Sequence, residues 1–256
     1  MSFKNKTSDI GLRIEPINQS EDVIQAFDCV CEAFGRQAQD GVWIAMTPGW
    51  ETPAGRSLGA ARMVARWRNT TRDKSGRPNT VFLKATLPCP HQQDKRIIAG
   101  FAIWVQASSV AGYGNPAVRE EELCDDMNLE EIYPGNEPEQ RYLSQTVASL
   151  HRQRAEVIKE KSTADPPAVM ILDMCAVDPA HQRKGIARAL VQWGLDEAQR
   201  RGDLESITEA SAMGRYVYEQ MGFVPQGAEI EYLVDEEFAS RSRPSNIFMR
   251  TQGSLV

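Results

Sequence analysis

A glycine-containing turn joins a predicted strand to a predicted helix at Val177-Asp178-Pro179-Ala180-His181-Gln182-Arg183-Lys184-Gly185-Ile186-Ala187. The first turn of a helix has backbone N–H groups without intrahelical partners, and the peptide dipoles place partial positive charge there. Gly185 lets the backbone approach a ligand closely, and Ala187 is too small to obstruct it. Positive charge is added by Arg183, Lys184 and Arg188 in a chain whose formal net charge is -6. The turn therefore predicts a binding site for a pyrophosphate.

The spacing of this turn differs from the two common nucleotide-binding loops. A P-loop has a four-residue gap followed by Gly-Lys-Ser/Thr, and a dinucleotide loop has three glycines, whereas this turn has neither. Gln182, Gly185 and Ala187 instead resemble motif A of the GNAT superfamily of CoA-dependent N-acyltransferases, an Arg/Gln-x-x-Gly-x-Gly/Ala loop. Further along, Tyr218-Glu219-Gln220-Met221-Gly222-Phe223 resembles the end of the family's motif B, Tyr-Glu-x-x-Gly-Phe. The segments around both motifs resemble fungal GNAT proteins of undefined substrate.

Composition narrows the class of protein. The 256 residues, 41% of them hydrophobic, suffice for one enlarged domain over 1–256, with additions at about 35–79 and 107–167. No apolar stretch reaches membrane-spanning length and no signal peptide is recognisable, which predicts a cytoplasmic protein without a membrane partner. The five cysteines are an odd number without a C-x-x-C pair, so neither disulfides nor a metal site are expected. The net charge of -6 argues against nucleic acid and weakly favours a cationic acceptor.

Hydrophobic periodicity predicts the order of the elements. Strands are expected at 12–17, 80–87, 97–106, 168–177 and 204–210, with a closing hairpin of 230–234 and 247–251. Helices are expected at 20–34, 58–72, 137–160, 185–201 and 213–221. This order is similar to the GNAT fold, an α/β architecture. In that fold a mixed, mostly antiparallel sheet splays open between its fourth and fifth strands and is flanked by helices.

The predicted central strand, 168–177, carries one charge, at Asp173. In a regular strand alternate residues share a face, which would group Asp173 with Val169, Ile171, Cys175 and Val177. A carboxylate among apolar side chains is expected to have a raised pKa and to serve as a proton acceptor near neutrality. The alternative is a carboxylate tied to a backbone amide or an arginine. Glu209, near the end of the fifth strand, is the reserve proton acceptor.

The resemblance implies that a bound amine attacks the thioester of acetyl-CoA directly, within a ternary complex and through a tetrahedral oxyanion. It assigns Tyr218 as the acid that protonates the departing thiolate, the alternative being an aromatic that only packs. It places the thioester and the pantetheine arm against the fourth strand. Ser211 is expected either to contact the CoA chain or to cap a helix. The residues assigned to acetyl-CoA are Cys175, Ala176, Val177, Gln182, Arg183, Lys184, Gly185, Ile186, Ala187, Arg188, Ser211 and Tyr218.

For several other side chains, a purely structural role is an alternative to a functional one. Cys175 is expected to be a small core residue and not a nucleophile, because no histidine lies near it in the sequence. His151 is expected at a surface. The acidic run 120–126 either attracts a cationic acceptor or forms a solvated face. Trp43, Trp50 and Trp67 either line an acceptor pocket or anchor the core.

The acceptor is expected to be a small primary amine, and the protein a monomer or homodimer. One alternative is a protein N-terminus or lysine as acceptor, which a flat acidic groove would favour. The other is a non-catalytic acyl-CoA-binding protein, against which the intact Tyr218 weighs.

Overall fold

The protein, seen in a computed structural model, is described over residues 10–90, 92, 94–116 and 127–251. These residues form a seven-stranded sheet in the order β1-β2-β3-β4-β5-β7-β6. The strands are β1 Arg13–Pro16, β2 Thr80–Pro88, β3 Arg96–Ala107, β4 Val169–Val177, β5 Ser206–Ser211, β6 Phe223–Glu229 and β7 Asn246–Thr251. The helices are α1 Ser20–Val30, α2 Gly41–Met46, α3 Pro53–Arg68, α4 Leu129–Ile132, α5 Glu137–Glu160, α6 Ile186–Arg200 and α7 Arg215–Glu219. A π-helical segment, Cys31–Gln37, continues α1.

Helices cover both faces of the sheet. On one face, apolar residues of α1, α3 and α5 pack against the sheet, for example Phe27, Val64 and Val157. On the other face, Leu190 of α6 and Tyr218 of α7 pack with Trp104 of β3. Neighbouring strands are antiparallel except for the β4–β5 pair. The predicted mixed, mostly antiparallel α/β fold flanked by helices is therefore confirmed.

The sheet opens between β4 and β5. The two strands pair at Met170 with Ser206 and at Ile171 with Ile207. One residue further on, the hydroxyl of Thr208 donates to the carbonyl of Leu172 at 2.9 Å. Beyond that point β4 and β5 continue as paired strands only with their outer neighbours, β3 and β7. This opening, which we call the β4–β5 opening, is the predicted splay.

A β-bulge at Asp173 corrects the predicted faces of β4. Ile103 of β3 lies opposite Met174, but the next residue, Trp104, lies opposite Leu172, so Asp173 is an extra residue on β4. One extra residue reverses the alternation of every side chain that follows it. Cys175 consequently packs on the α6–α7 face, together with Leu172. The prediction that Asp173 and Cys175 share a face was wrong.

The closing hairpin is also corrected. The strand that pairs with β7 is β6, Phe223–Glu229, and residues 230–234 form no strand. β6 contains Pro225 and Gly227. They are tolerated here because β6 is an edge strand whose pairing is interrupted between Pro225 and Glu229.

Helix boundaries follow the predictions unevenly. The helix expected at 137–160 is confirmed as α5. The helix expected at 58–72 begins earlier, at Pro53, because Thr52 caps it by accepting a hydrogen bond from the Gly55 amide at 3.0 Å. Within the described ranges, no helix combines the length and the apolar character needed to cross a membrane.

Candidate active site

The turn before α6 presents backbone N–H groups to solvent. Arg183 and Gly185 both adopt left-handed conformations, with φ of +63° and +79°. Such alternation of backbone conformations arranges successive N–H groups around a concavity that favours anions. Gly185 is the N-cap residue of α6, no described side chain caps it, and the first turn contains no acidic residue. The turn therefore offers uncapped donors at the positive end of a helix dipole.

Side-chain hydrogen bonds of Gln182 hold this turn against neighbouring elements. Its amide nitrogen donates to the side-chain oxygen of Gln37 at 2.6 Å and to the Val177 carbonyl at 3.2 Å. Gln37, from the π-helical segment, donates back at 3.1 Å. This reciprocal amide pair ties the turn to the end of β4 and to α1.

Basic side chains and a small pocket surround the turn. Arg183 and Arg188 are exposed and have no ion pair with a described residue. Lys184 Nζ lies 3.3 Å from His181 Nδ1. A pocket of about 240 Å³ adjoins them, lined by Ile10, Leu87, Pro88, Pro90, Ile97, His181 and Lys184.

Tyr218 stands on one side of the β4–β5 opening. Its side chain is buried, and its ring lies 5.9 Å from that of Phe223. Gly214 makes room for it, because a Cβ there would lie 2.7 Å from Tyr218 Cε2. The Tyr218 hydroxyl lies beside the thiol of Cys175. Burial raises the pKa of the phenol, so it remains protonated at neutral pH.

Three ionised side chains join the strands on the opposite side of the opening. Arg154 of α5 donates from Nη1 to Asp173 Oδ1 at 2.6 Å and from Nε to Glu209 Oε1 at 3.0 Å. Arg154 Nη2 also donates to the second Glu209 oxygen. The second Asp173 oxygen accepts from Arg66 Nη2 of α3 at 2.7 Å. Each oxygen of both carboxylates thus accepts a hydrogen bond from an arginine.

These contacts overturn the expected chemistry of Asp173. Although burial alone raises its pKa, Arg66 and Arg154 outweigh burial and hold the pKa well below its usual range. Asp173 is therefore an ionised partner of two arginines, which is the alternative that the sequence left open. The prediction of a raised pKa was wrong because the sequence does not reveal which side chains α3 and α5 bring to the strand.

His151 belongs to the same side. It precedes Arg154 by three residues on α5, a spacing that places both side chains on neighbouring parts of one helix face. It is half-buried and has no hydrogen bond to a described residue. Desolvation, and then the charge of Arg154, lower its pKa to about 4. The expected surface position was wrong, and its imidazole is neutral near pH 7.

Two backbone amides of β4 face the opening between these two sides. The Asp178 amide donates to the Ala99 carbonyl of β3 at 3.0 Å. Since backbone groups alternate direction along an antiparallel strand, the amides of Cys175 and Val177 point away from β3 and into the opening. By the same alternation, the backbone amide of Ala176 points toward β3.

Comparisons with known proteins follow this geometry. Residues 155–232 match a family model described as an acetyltransferase (GNAT) domain. This segment, about a third of the chain, is therefore similar to a GNAT acetyltransferase domain, and the match supports an acetyltransferase. A search of curated proteins gave no match.

Solved structures share the fold of this chain at low sequence identity. Arylalkylamine N-acetyltransferase 2 of Aedes aegypti has 17% identity and a TM-score of 0.57, covering 94% of this chain and 98% of its own. The polyamine N-acetyltransferase of Drosophila melanogaster, which forms N-acetylagmatine, has 8% identity and a TM-score of 0.55, covering 93% and 97%. A Corynebacterium glutamicum protein described as histone acetyltransferase HPA2 and related acetyltransferase has 16% identity and a TM-score of 0.52, covering 96% and 98%.

The structure also locates the other residues that the sequence assigned to the site. Ile186 is buried against Gly100, where a Cβ would lie 2.7 Å from Ile186 Cγ2, and so seats the start of α6 on β3. Ser211 ends β5, and its hydroxyl accepts a 3.3 Å hydrogen bond from Gly214 at the start of α7. Trp43 and Trp50 are buried core residues. The acidic run 120–126 lies outside the described residues.

Three residues of the site were missed from the sequence: Arg66, Arg154 and His151. Arg154 and His151 lie on the helix predicted at 137–160, at a spacing that places them close together on its surface. That spacing is the one signal the sequence offered. Nothing in the sequence indicated which strands this helix face would meet.

Proposed function

We propose that this protein transfers an acetyl group from acetyl-CoA to a small primary amine by direct attack. The observation that carries the proposal is the β4–β5 opening, which has a neutral phenol on one side and a charged cluster on the other. The opening lies next to an uncapped helix terminus flanked by basic side chains. Donor and acceptor would therefore meet through the sheet.

The donor side fits acetyl-CoA. The N–H groups of Gly185 to Arg188, with the charges of Arg183 and Lys184, would bind its pyrophosphate. The free amides of Cys175 and Val177 would pair with the pantetheine arm and polarise the thioester carbonyl. Ser211 lies where its hydroxyl would reach the same chain. When bound, acetyl-CoA supplies the activated acyl group.

Tyr218 would protonate the departing thiolate. Its raised pKa keeps it a neutral donor, and its hydroxyl lies beside a sulfur atom, that of Cys175. A charged donor at this depth would need a partner, whereas a phenol needs only one hydrogen bond.

His151 would accept a hydrogen bond from the incoming ammonium, directly or through a water through which the ammonium releases its proton to solvent. Asp173 and Glu209, the two carboxylates expected as proton acceptors, have their oxygens occupied by arginines. The imidazole of His151 is neutral and therefore has a lone pair on its unprotonated ring nitrogen. In this proposal Asp173 and Glu209 hold Arg154 and orient the acceptor side.

The walls of the opening favour a small acceptor over a protein N-terminus or lysine. Arg66 of α3 and Arg154 of α5 both reach Asp173. Both helices belong to the enlarged segments of the chain, so these segments lie beside the opening and would narrow the acceptor side around a small molecule.

The test measures CoA release with monoamines, diamines and peptide N-termini, for the parent, Tyr218→Phe and Tyr216→Phe. Tyr216 lies on the same helix but is 71% exposed, which makes it a matched control. We expect Tyr218→Phe to lower kcat about 100-fold, to leave acetyl-CoA binding intact, and Tyr216→Phe to behave as the parent. Unchanged turnover in Tyr218→Phe would remove the acid assignment. Acetyl-CoA binding without CoA release for any acceptor would replace the proposal with a non-catalytic binding function.

A further inference from the structure

Arg62 is an incompletely paired guanidinium one helical turn from Arg66, which contacts Asp173. It lies on α3 four residues before Arg66, so one helical turn separates two arginines on the same face. Its Nη2 donates to the Met46 carbonyl at a long 3.4 Å. Its Nη1 is buried and has no hydrogen-bond partner among the described residues. A buried donor of a charged group is costly to leave unpaired, which indicates that something else pairs with it.

The electrostatics of Arg62 differ from those of its neighbours on α3. Arg56 lies 2.7 Å from Glu32, and Arg66 lies 2.7 Å from Asp173. Arg62 has no such ion pair within the described part of the chain, and burial lowers its pKa. The carboxylate that acts on it most strongly is that of Glu131. Glu131 is exposed and already accepts a hydrogen bond from Asn128 at 2.7 Å, so solvent screens it from Arg62.

Arg62 differs from the two arginines of the acceptor side in its pairing. Arg66 and Arg154 are paired with Asp173 and Glu209, whereas Arg62 forms no ion pair with a described carboxylate. His151 is neutral near pH 7 and adds no charge. A diamine would bring a second positive charge toward Arg62, whereas an acceptor with one amine and one carboxylate would bring it a counter-charge.

We propose that Arg62 binds a carboxylate of the acceptor, so that the substrates of this enzyme are amino carboxylates. This inference rests on the proposed acetyl transfer to an amine. Guanidinium groups bind carboxylates through two parallel hydrogen bonds. A carboxylate bound in this way would accept a hydrogen bond from the unpaired Nη1 of Arg62. Arg62 lies one helical turn, roughly 6 Å, before Arg66, which itself contacts Asp173 at the opening.

The test uses acceptor pairs that differ by the carboxylate alone: 4-aminobutyrate with propylamine, phenylalanine with 2-phenylethylamine, and arginine with agmatine. CoA release gives kcat/KM for the parent, Arg62→Met, Arg62→Lys and Arg68→Met. Arg68 is an exposed residue at the end of the same helix and serves as the control. We expect the parent to prefer at least one carboxylate-bearing member by about 10- to 100-fold. Arg62→Met should abolish that preference through KM, Arg62→Lys should keep part of it, and Arg68→Met should keep all of it.

A second readout needs no turnover. The preferred amino carboxylate should raise the Tm of the parent in a concentration-dependent way and should not raise that of Arg62→Met. CoA release that favours the amine in every pair, or an Arg62→Met variant that retains the carboxylate preference, would overturn the inference and leave the proposed acetyl transfer standing. CoA release with neither member of any pair, nor with any acceptor of the wider panel, would overturn the proposed function itself.

Discussion

The two sides of the β4–β5 opening are held together by different forces. On the Tyr218 side, a buried ring packs against Phe223 and a neutral hydroxyl meets the Cys175 thiol. On the other side, Arg154 of α5 bridges Asp173 of β4 and Glu209 of β5. Backbone pairing between these strands has already stopped at Ile171 and Ile207. Shape therefore positions the donor side, whereas ion pairs replace missing backbone hydrogen bonds on the acceptor side.

Substitution of Arg154 should have the largest effect, because it removes the ion pairs that join β4 and β5 on the acceptor side. Arg154→Met leaves the buried Glu209 and the mostly buried Asp173 without the cation that joins them. We expect the free energy of unfolding in urea to fall by about 3–5 kcal/mol and acetyl transfer to be lost. Arg152→Met, on an exposed part of the same helix, should change stability by less than about 0.5 kcal/mol. Equal effects of the two substitutions would show that the bridge does not hold the strands.

The pH dependence of stability tests the acceptor side through His151, which faces Arg154, Arg66, Asp173 and Glu209. Its folded pKa of about 4 lies below its unfolded value of about 6.5, so the unfolded state binds more protons between these two pH values. The protein should lose stability as pH falls from about 6.5 to about 4, by up to about 3 kcal/mol. His151→Gln should remove most of that slope in urea titrations at successive pH values. An unchanged slope would show that His151 titrates normally.

Gly214 tests whether shape alone sets the donor side. A Cβ at this position would lie 2.7 Å from Tyr218 Cε2, so the ring has to move in Gly214→Ala. A small displacement of a reacting group is costly, and we expect kcat to fall about 10- to 100-fold with acetyl-CoA affinity unchanged. Gln220→Ala, at an exposed position that directly follows α7, is the control. Full activity in Gly214→Ala would mean that Tyr218 tolerates displacement.

The smallest effect is expected at the phosphate turn, where backbone donors and not side chains dominate. Arg188→Gln removes one exposed charge, so the Kd for CoA should rise only about 2- to 5-fold and should depend less on salt. Arg200→Gln, at the opposite end of α6, should leave the Kd unchanged. Titration calorimetry at two salt concentrations measures both. A loss of more than about 100-fold in Arg188→Gln would assign the binding to the side chain.

Prediction from the sequence succeeded where signals are local. The strand–turn–helix around Gly185 and the helix at 137–160 follow from periodicity and turn residues, and both are present. The faces of β4 beyond Asp173 were wrong, because a bulge is created by pairing with β3 and has no local signature here. The extent of one domain over 1–256 and the roles of the site residues remain predictions.

The sequence by itself determined the helix start that offers N–H groups at Gly185, the position of Tyr218 after it, and the α/β order of elements. These depend on backbone geometry within a few residues, which side-chain type controls directly. The tertiary structure alone decided that Asp173 is an ion-pair partner, that His151 is neutral, and that Arg62 has an unpaired donor. A side chain's charge state depends on what distant elements bring within a few ångströms of it, and that proximity is a property of the fold.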